Sequence, residues 1–151
     1  MLSERLRQLT LVVPPLPGPF GAYLPAKRVG DLIFVAGQLP MKEGKLLAAG
    51  QVPSRCSLDD ARAAARQCVI NALAAVSTLP GGVDQITGVA RVGVFVSSDP
   101  TFTQQPQVAN GASELLVEIL GDAGKHARAA VGVSALPLDA AVEVELVFTC
   151  G

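Results

Sequence analysis

The apolar positions of this chain fall into stretches of two periods. Leu2, Leu6 and Leu9 recur at three- to four-residue spacing, which predicts a short amphipathic helix over residues 2–9. VVPPLPGPFGAY follows, broken by prolines and glycines, and reads as an ordered but irregular arm. Two apolar runs, Tyr23 to Val29 and Leu32 to Gly37, flank Gly30-Asp31, a two-residue hairpin signal. MKEGKLLAAGQVPS, Met41 to Ser54, reads as a loop. Helical spacing returns with Ala61, Ala65, Cys68, Val69, Ala72, Leu73 and Val76, a continuous apolar stripe. Ser57 is placed to cap that helix, with Asp60 three residues on, and Pro80-Gly81-Gly82 stops it. ITGVARVGVFVSS, Ile86 to Ser98, is valine-rich with partial alternation and predicts a strand, followed by a turn or loop in DPTFTQQPQ. A second long helix is expected from about Val108 to Leu120, ended by Gly121. Ala127 to Ala135 and Val142 to Phe148 then read as a closing hairpin about Leu138-Asp139.

The order after the first short helix is β-β-α-β-α-β-β. It implies an α+β architecture, two helices on one face of a mixed, mainly antiparallel sheet. Residues 1–151 read as one domain, with 1–19 as an N-terminal helix and Pro/Gly-rich arm. Alanine and glycine crowd the helices, which suits close packing but leaves much apolar sheet to cover. Two helices hide one face only. Neither face of YLPAKRV, LIFVAGQLP or VGVFV is cleanly polar, so self-association is expected.

Composition removes several classes of function. The formal net charge is -1, there is no Trp and one Tyr, and the densest basic stretch is Lys27-Arg28, which argues against a nucleic-acid surface. MLSERLRQLT carries charges where a signal peptide needs an apolar run, and no segment approaches the ~18 apolar residues of a membrane span. Cys56, Cys68 and Cys150 share no CxxC spacing and have a single His for company, a poor zinc set. The expectation is a cytoplasmic protein with reduced thiols, no metal and no cofactor.

The candidate chemistry lies in the last two strands. On the hairpin register Ser134 opposes Glu143, and Arg128, Glu143 and Glu145 share the face away from the helices. Arg128 and Glu143 are then six rungs apart, roughly 20 Å at ~3.3 Å per residue, too far for one site within one chain. They could cooperate only across a subunit interface. A solvated or salt-bridged arginine beside surface carboxylates would leave the same pattern.

ARAAVGVSALPLDAAVEVE resembles the C-terminal signature of the RidA/YjgF family, GAYLPAKRVGDLIFVAGQLP its opening segment, and VANGASELL its asparagine-bearing helix. The likeness runs from about Phe20 to Phe148 and looks like the subgroup with an extended N-terminus. It implies a chorismate-mutase-like fold, a homotrimer and clefts between subunits. Active members hydrolyse enamines or imines (2-iminoacids) to 2-oxo acids and ammonia. On that resemblance Arg128 binds the substrate carboxylate, for which its planar fork is suited, and Glu143 attends the end where water adds. Tyr23, Gly37, Asn110 and Ala130 are the implied substrate-binding positions. Tyr23 reads equally as an interface aromatic, Gly37 as a turn glycine and Asn110 as a helix N-cap. Ala36 and Ala130 stand where the family often has Ser and Cys, which implies a roomier, more apolar cleft. His126 is read as a surface histidine or as a pH-dependent helper at the cleft mouth. Two other functions remain open at this stage: a non-catalytic trimer that binds small carboxylates as sensor or chaperone, and a ribonuclease or translation inhibitor.

Overall fold

The predicted elements form, and their order holds, but their pairing differs at the end of the chain. In the computed structural model, which describes every residue except Pro19, helix α1 spans Leu2–Gln8 and buries Leu2 and Leu6. Ser3 ties it down by donating from its backbone N–H and hydroxyl to Asp84, both at 2.8 Å. The arm from Leu11 to Phe20 packs Leu11, Val13 and Leu16 against the core; Pro19, part of the same predicted arm, lies outside the described residues. Strands β1 (Ala26–Val29) and β2 (Leu32–Gln38) form the expected hairpin. The stretch read as a loop holds two short strands, β3 (Met41–Lys42) and β4 (Lys45–Leu46), folded around Glu43-Gly44. Both turn residues have positive φ, the signature of a tight hairpin turn.

Helix α2 (Leu58–Val76) begins as its sequence indicates, Ser57 Oγ accepting from the Asp60 N–H at 3.1 Å. All seven residues of the predicted stripe are buried. It stops at Val76, ahead of Pro80, where the Ser77 and Thr78 hydroxyls donate to the carbonyls of Leu73 and Ala75. Strand β5 is Ile86–Ser97, and α3 runs from Gln105 to Leu120, a turn earlier than its apolar spacing suggests. Pro106 in the first turn permits that early start, since proline's fixed φ suits the first helical positions and its missing N–H is no loss there. Strands β6 (Ala127–Val133) and β7 (Val142–Cys150) complete the chain.

The main sheet has the order β1-β2-β7-β5-β6. β5 therefore lies between β6 and β7, parallel to the first and antiparallel to the second. The expected closing hairpin does not exist. Two facts account for this. Residues 134–141 are too many for a tight turn, and they cross the sheet end, held by Gly50 N–H to Asp139 O at 2.7 Å and Ala141 N–H to Ala48 O at 3.2 Å. And β5 is apolar on both sides, which suits an interior strand. Val92, Val94 and Val96 are fully buried beneath the helices. Burying each is worth about 1.5–3 kcal/mol, so placing β5 inside the sheet outweighs the local preference of any turn.

Helices α2 and α3 cross at very short range. A Cβ on Gly111 would run into the backbone carbonyl of Arg62, and Ala61, Ala64, Ala65 and Ala112 are fully buried around it. The pair is clamped outside by Arg62 to Glu114 and Arg66 to Glu118. Gly111→Ala is expected to lower stability by about 1–3 kcal/mol, because the helices must move apart; urea unfolding of the variant against wild type measures it.

Candidate functional site

Register decides which way each candidate side chain points. Arg128 pairs with Val92 across the parallel β5–β6 ladder, and Val92 faces the helices, so Arg128 also lies on the helix side of the sheet. Glu143 pairs with Phe95 and Glu145 with Gly93, on the opposite, open face. The expectation that all three charges share one face is overturned, because it rested on a β6–β7 hairpin. Arg128 and Glu143 are three rungs apart and two strands apart, roughly 14 Å between Cα atoms. They sit on opposite surfaces of the same sheet.

Each has companions. On the helix side, α3 presents Asn110 and Ser113, three residues apart and thus on one flank. Arg128 Nη1 donates to Asn110 Oδ1 at 2.8 Å and to Ser113 Oγ at 3.1 Å. Because α3 starts at Gln105 with Gln104 as its N-cap residue, Asn110 lies inside the helix and is not its cap. His126 is half-buried, with Nδ1 2.6 Å from the Gly124 carbonyl and Nε2 2.8 Å from Ser113 Oγ. The plain surface-histidine reading is thereby replaced by a histidine bonded to a neighbour of Arg128. Ser113, Val117, Lys125, His126 and Arg128 line a surface cavity of about 250 Å³. Ala130 shares the face of Arg128 but packs against the core and does not line that cavity. Arg128 is exposed, and among the described residues no carboxylate pairs with it and its Nε and Nη2 donate to nothing.

On the open face, the β2–β7 register shifts between Val35 and Gln38, so Ala36-Gly37 bulge from the ladder. A Cβ on Gly37 would strike the Glu143 carboxylate. Gly37 is therefore a close-approach glycine in a bulge; its φ is not in the left-handed region that a turn glycine would show. The Ala36 N–H donates to Pro25 O at 2.9 Å, which carries exposed Tyr23 to the same end of the sheet as Gly37. Glu143 accepts no hydrogen bond among the described residues, and burial, then the nearby Glu145 charge, raises its carboxyl above the usual range. Glu145 itself meets Arg91 at 3.4 Å, an exposed pair worth at most about 1 kcal/mol.

Two clusters thus emerge: Arg128, Asn110 and Ser113 with His126, and Glu143 with Gly37 and the approach from Tyr23. Sequence reading missed Ser113. Its signal was a second polar residue three positions after Asn110, on the same flank of the helix.

The arrangement, a mixed sheet with helices on one face and an open guanidinium at the edge, is a chorismate-mutase-like α+β fold. A family model described as "YjgF/chorismate mutase-like, putative endoribonuclease" matches residues 3–149, and the chain belongs to that family, the RidA/YjgF proteins. A Trypanosoma cruzi protein named TCP17 is 36% identical over 145 residues, covering 95% of this chain and 91% of that protein. A solved structure of a protein of unknown function from Agrobacterium tumefaciens is 38% identical with a TM-score of 0.87, over 99% of this chain and 91% of that one. Another from Shewanella oneidensis, described as a "putative endoribonuclease", is 30% identical with a TM-score of 0.90 and covers 99% of both chains. Among the described residues no helix is long and apolar enough to cross a membrane.

The raised Glu143 carboxyl has a stability consequence. Its folded state holds the proton to higher pH than the unfolded chain does, so its contribution is fully present below the unfolded value and is lost as pH rises through the folded one. Glu143→Gln should therefore leave Tm at pH 7 equal to or above that of wild type, the difference closing as pH falls to about 3, where the carboxyl is protonated in both states. Differential scanning calorimetry across that range checks it.

Proposed function

We propose that the protein is a homotrimeric deaminase that hydrolyses 2-iminoacids, with the carboxylate of the substrate held by Arg128. The observation that carries this reading is the guanidinium whose only bonds among the described residues are to the neutral oxygens of Asn110 and Ser113. Those bonds fix Nη1 and leave the rest of the fork open toward a cavity whose other basic groups are Lys125 and His126. A small carboxylate supplies the missing acceptors and the missing charge.

An imino acid carries its carboxylate and its imine on adjacent carbons. Arg128 and Glu143 of one chain, some 14 Å apart on opposite faces, cannot both reach it. The reading therefore places Arg128 of one protomer beside the Gly37–Glu143 end of the next. Support for association comes from the open face, where Val29, Phe34 and Val131 are 54%, 46% and 45% exposed and leave an apolar surface toward solvent. Water would add to the iminium carbon as Glu143, whose carboxyl is raised by burial and by the neighbouring Glu145, accepts a proton from it. The C–O bond forms, Glu143 passes that proton to nitrogen, and as the C–N bond breaks the remaining hydroxyl proton goes to the departing ammonia. Protonated imino acid and water become 2-oxo acid and ammonium. A protonated imine is already electrophilic, so the step asks nothing more of the protein than positioning and one base.

The descriptions of the family and of the Shewanella relative favour a second reading, RNA cleavage. The near-zero net charge and the absence of Trp speak against it. Ala36 and Ala130 keep a third in view, a carboxylate-binding trimer without turnover.

One set of measurements separates them. Imino acid is generated in situ by an amino-acid oxidase acting on alanine, and pyruvate release is followed. Wild type should accelerate it, Arg128→Ala should lose at least about 10²-fold in kcat/KM, and Glu143→Gln about 10²- to 10⁴-fold in kcat. Binding of 2-oxobutyrate without turnover would favour the carboxylate-binding trimer, and RNA cleavage that survives Arg128→Ala the ribonuclease. Sedimentation should give about three times the 15.5 kDa chain mass; a monomer sinks the intersubunit site.

A further inference from the structure

The hydrogen bonds around Arg128 continue past its first neighbours, and each has a definite direction. A backbone carbonyl only accepts, so the 2.6 Å contact to Gly124 O requires a proton on His126 Nδ1. In the neutral ring Nε2 is then an acceptor and takes the Ser113 hydroxyl proton across 2.8 Å. The Ser113 oxygen is left with its lone pairs toward Arg128 and accepts from Nη1 at 3.1 Å. Arginine to serine to histidine to carbonyl is one directional chain, and each bond polarises the next.

We propose that Ser113 and His126 are positioning residues for Arg128, and that proton uptake at His126 switches this relay to a state that binds anions more tightly. This rests on the reading of Arg128 as a carboxylate site. When His126 gains a proton, Nε2 becomes a donor and the Ser113 hydroxyl hydrogen has to leave that bond. It turns toward the cavity, where a bound carboxylate can accept it. Arg128 keeps its 2.8 Å bond to Asn110, so the fork stays in place. A second positive charge now stands within roughly 6 Å of the guanidinium, as both contact one oxygen, and attracts the same anion.

The surroundings leave that charge uncompensated. Lys125, beside His126, is paired with Asp122 at 3.0 Å. On α3, Glu114 and Glu118 are engaged by Arg62 and Arg66 of α2, and Arg5 of α1 donates to the Glu118 carbonyl. On β5, Arg91 stands level with Ala127 and is paired with Glu145 on the far face. Among the described residues no carboxylate contacts His126 or Arg128. A bound ligand would be the first.

His126 is the chain's single histidine, so its imidazole signals in NMR are unambiguous. In the ligand-free protein the neutral ring should be the Nδ1-protonated form. Ser113→Ala should keep that tautomer, which the Gly124 carbonyl holds, but shift the Nε2 signal as its hydrogen bond is lost, and Ser113→Thr, which keeps the hydroxyl, should restore it. With 2-oxobutyrate as probe, calorimetry should show binding to wild type tightening about three- to ten-fold between pH 8 and pH 5, with a shallower profile for His126→Gln. An Nε2-protonated neutral ring, an Nε2 signal unmoved by Ser113→Ala, or a wild-type profile no steeper than that of His126→Gln overturns the proposal. Failure of 2-oxobutyrate to bind wild type, or equal binding to Arg128→Ala, instead overturns the carboxylate reading of Arg128. The ligand-free imidazole signals then still decide the relay.

Discussion

The insertion of β5 between β6 and β7 is the constraint on which the rest of the structure depends. Its valines at 92, 94 and 96 close the core against α2 and α3 and against Val142, Val144 and Leu146 of β7. Once that strand is interior, its two neighbours inherit opposite duties. β7 alternates strictly, with Glu143 and Glu145 forced to the open face because their neighbours are needed in the core. β6 becomes an edge reached only by a crossover, since a parallel pair cannot be joined by a tight turn. That crossover is α3, and it delivers Asn110 and Ser113 to Arg128.

The charges of the molecule divide according to use. Arg55, Arg62, Arg66 and Arg91 each meet a carboxylate. The Arg55–Asp139 pair, with both nitrogens engaged, pins the crossing segment after β6 and holds the Asp139 carboxyl below its ordinary range. Arg128 and Glu143 are the contrast. Among the described residues, one is solvent-exposed and bonded only to neutral oxygens, and the other is half-buried with no donor.

One helical feature ties the surface around Arg128 to the core. α2 and α3 can approach closely only because position 111 lacks a side chain. That approach sets where the outer flank of α3 lies over β6, and so where Asn110 and Ser113 stand. Packing between small residues in the interior thereby fixes a hydrogen-bond geometry at the surface.

Much of this was legible along the chain. Ser57 and the stripe from Ala61 to Val76 specify α2 through local capping and a 3.6-residue period, and Gly30-Asp31 specifies the first hairpin through turn chemistry. The alternation of Val142 to Phe148 specifies which β7 residues are buried, and the likeness in ARAAVGVSALPLDAAVEVE pointed to Arg128. All of these signals act within a few residues, where sequence distance and spatial distance agree. Strand pairing does not. The strand–helix–strand order of β5, α3 and β6 permitted a parallel crossover, but so did a hairpin between β6 and β7, and each strand pattern fits either neighbour. Only burial of the β5 valines, summed over the whole core, decided between them. That decision put Arg128 on the helix side, Glu143 on the other, and Ser113 and His126 within reach of a guanidinium that no local pattern assigned to them.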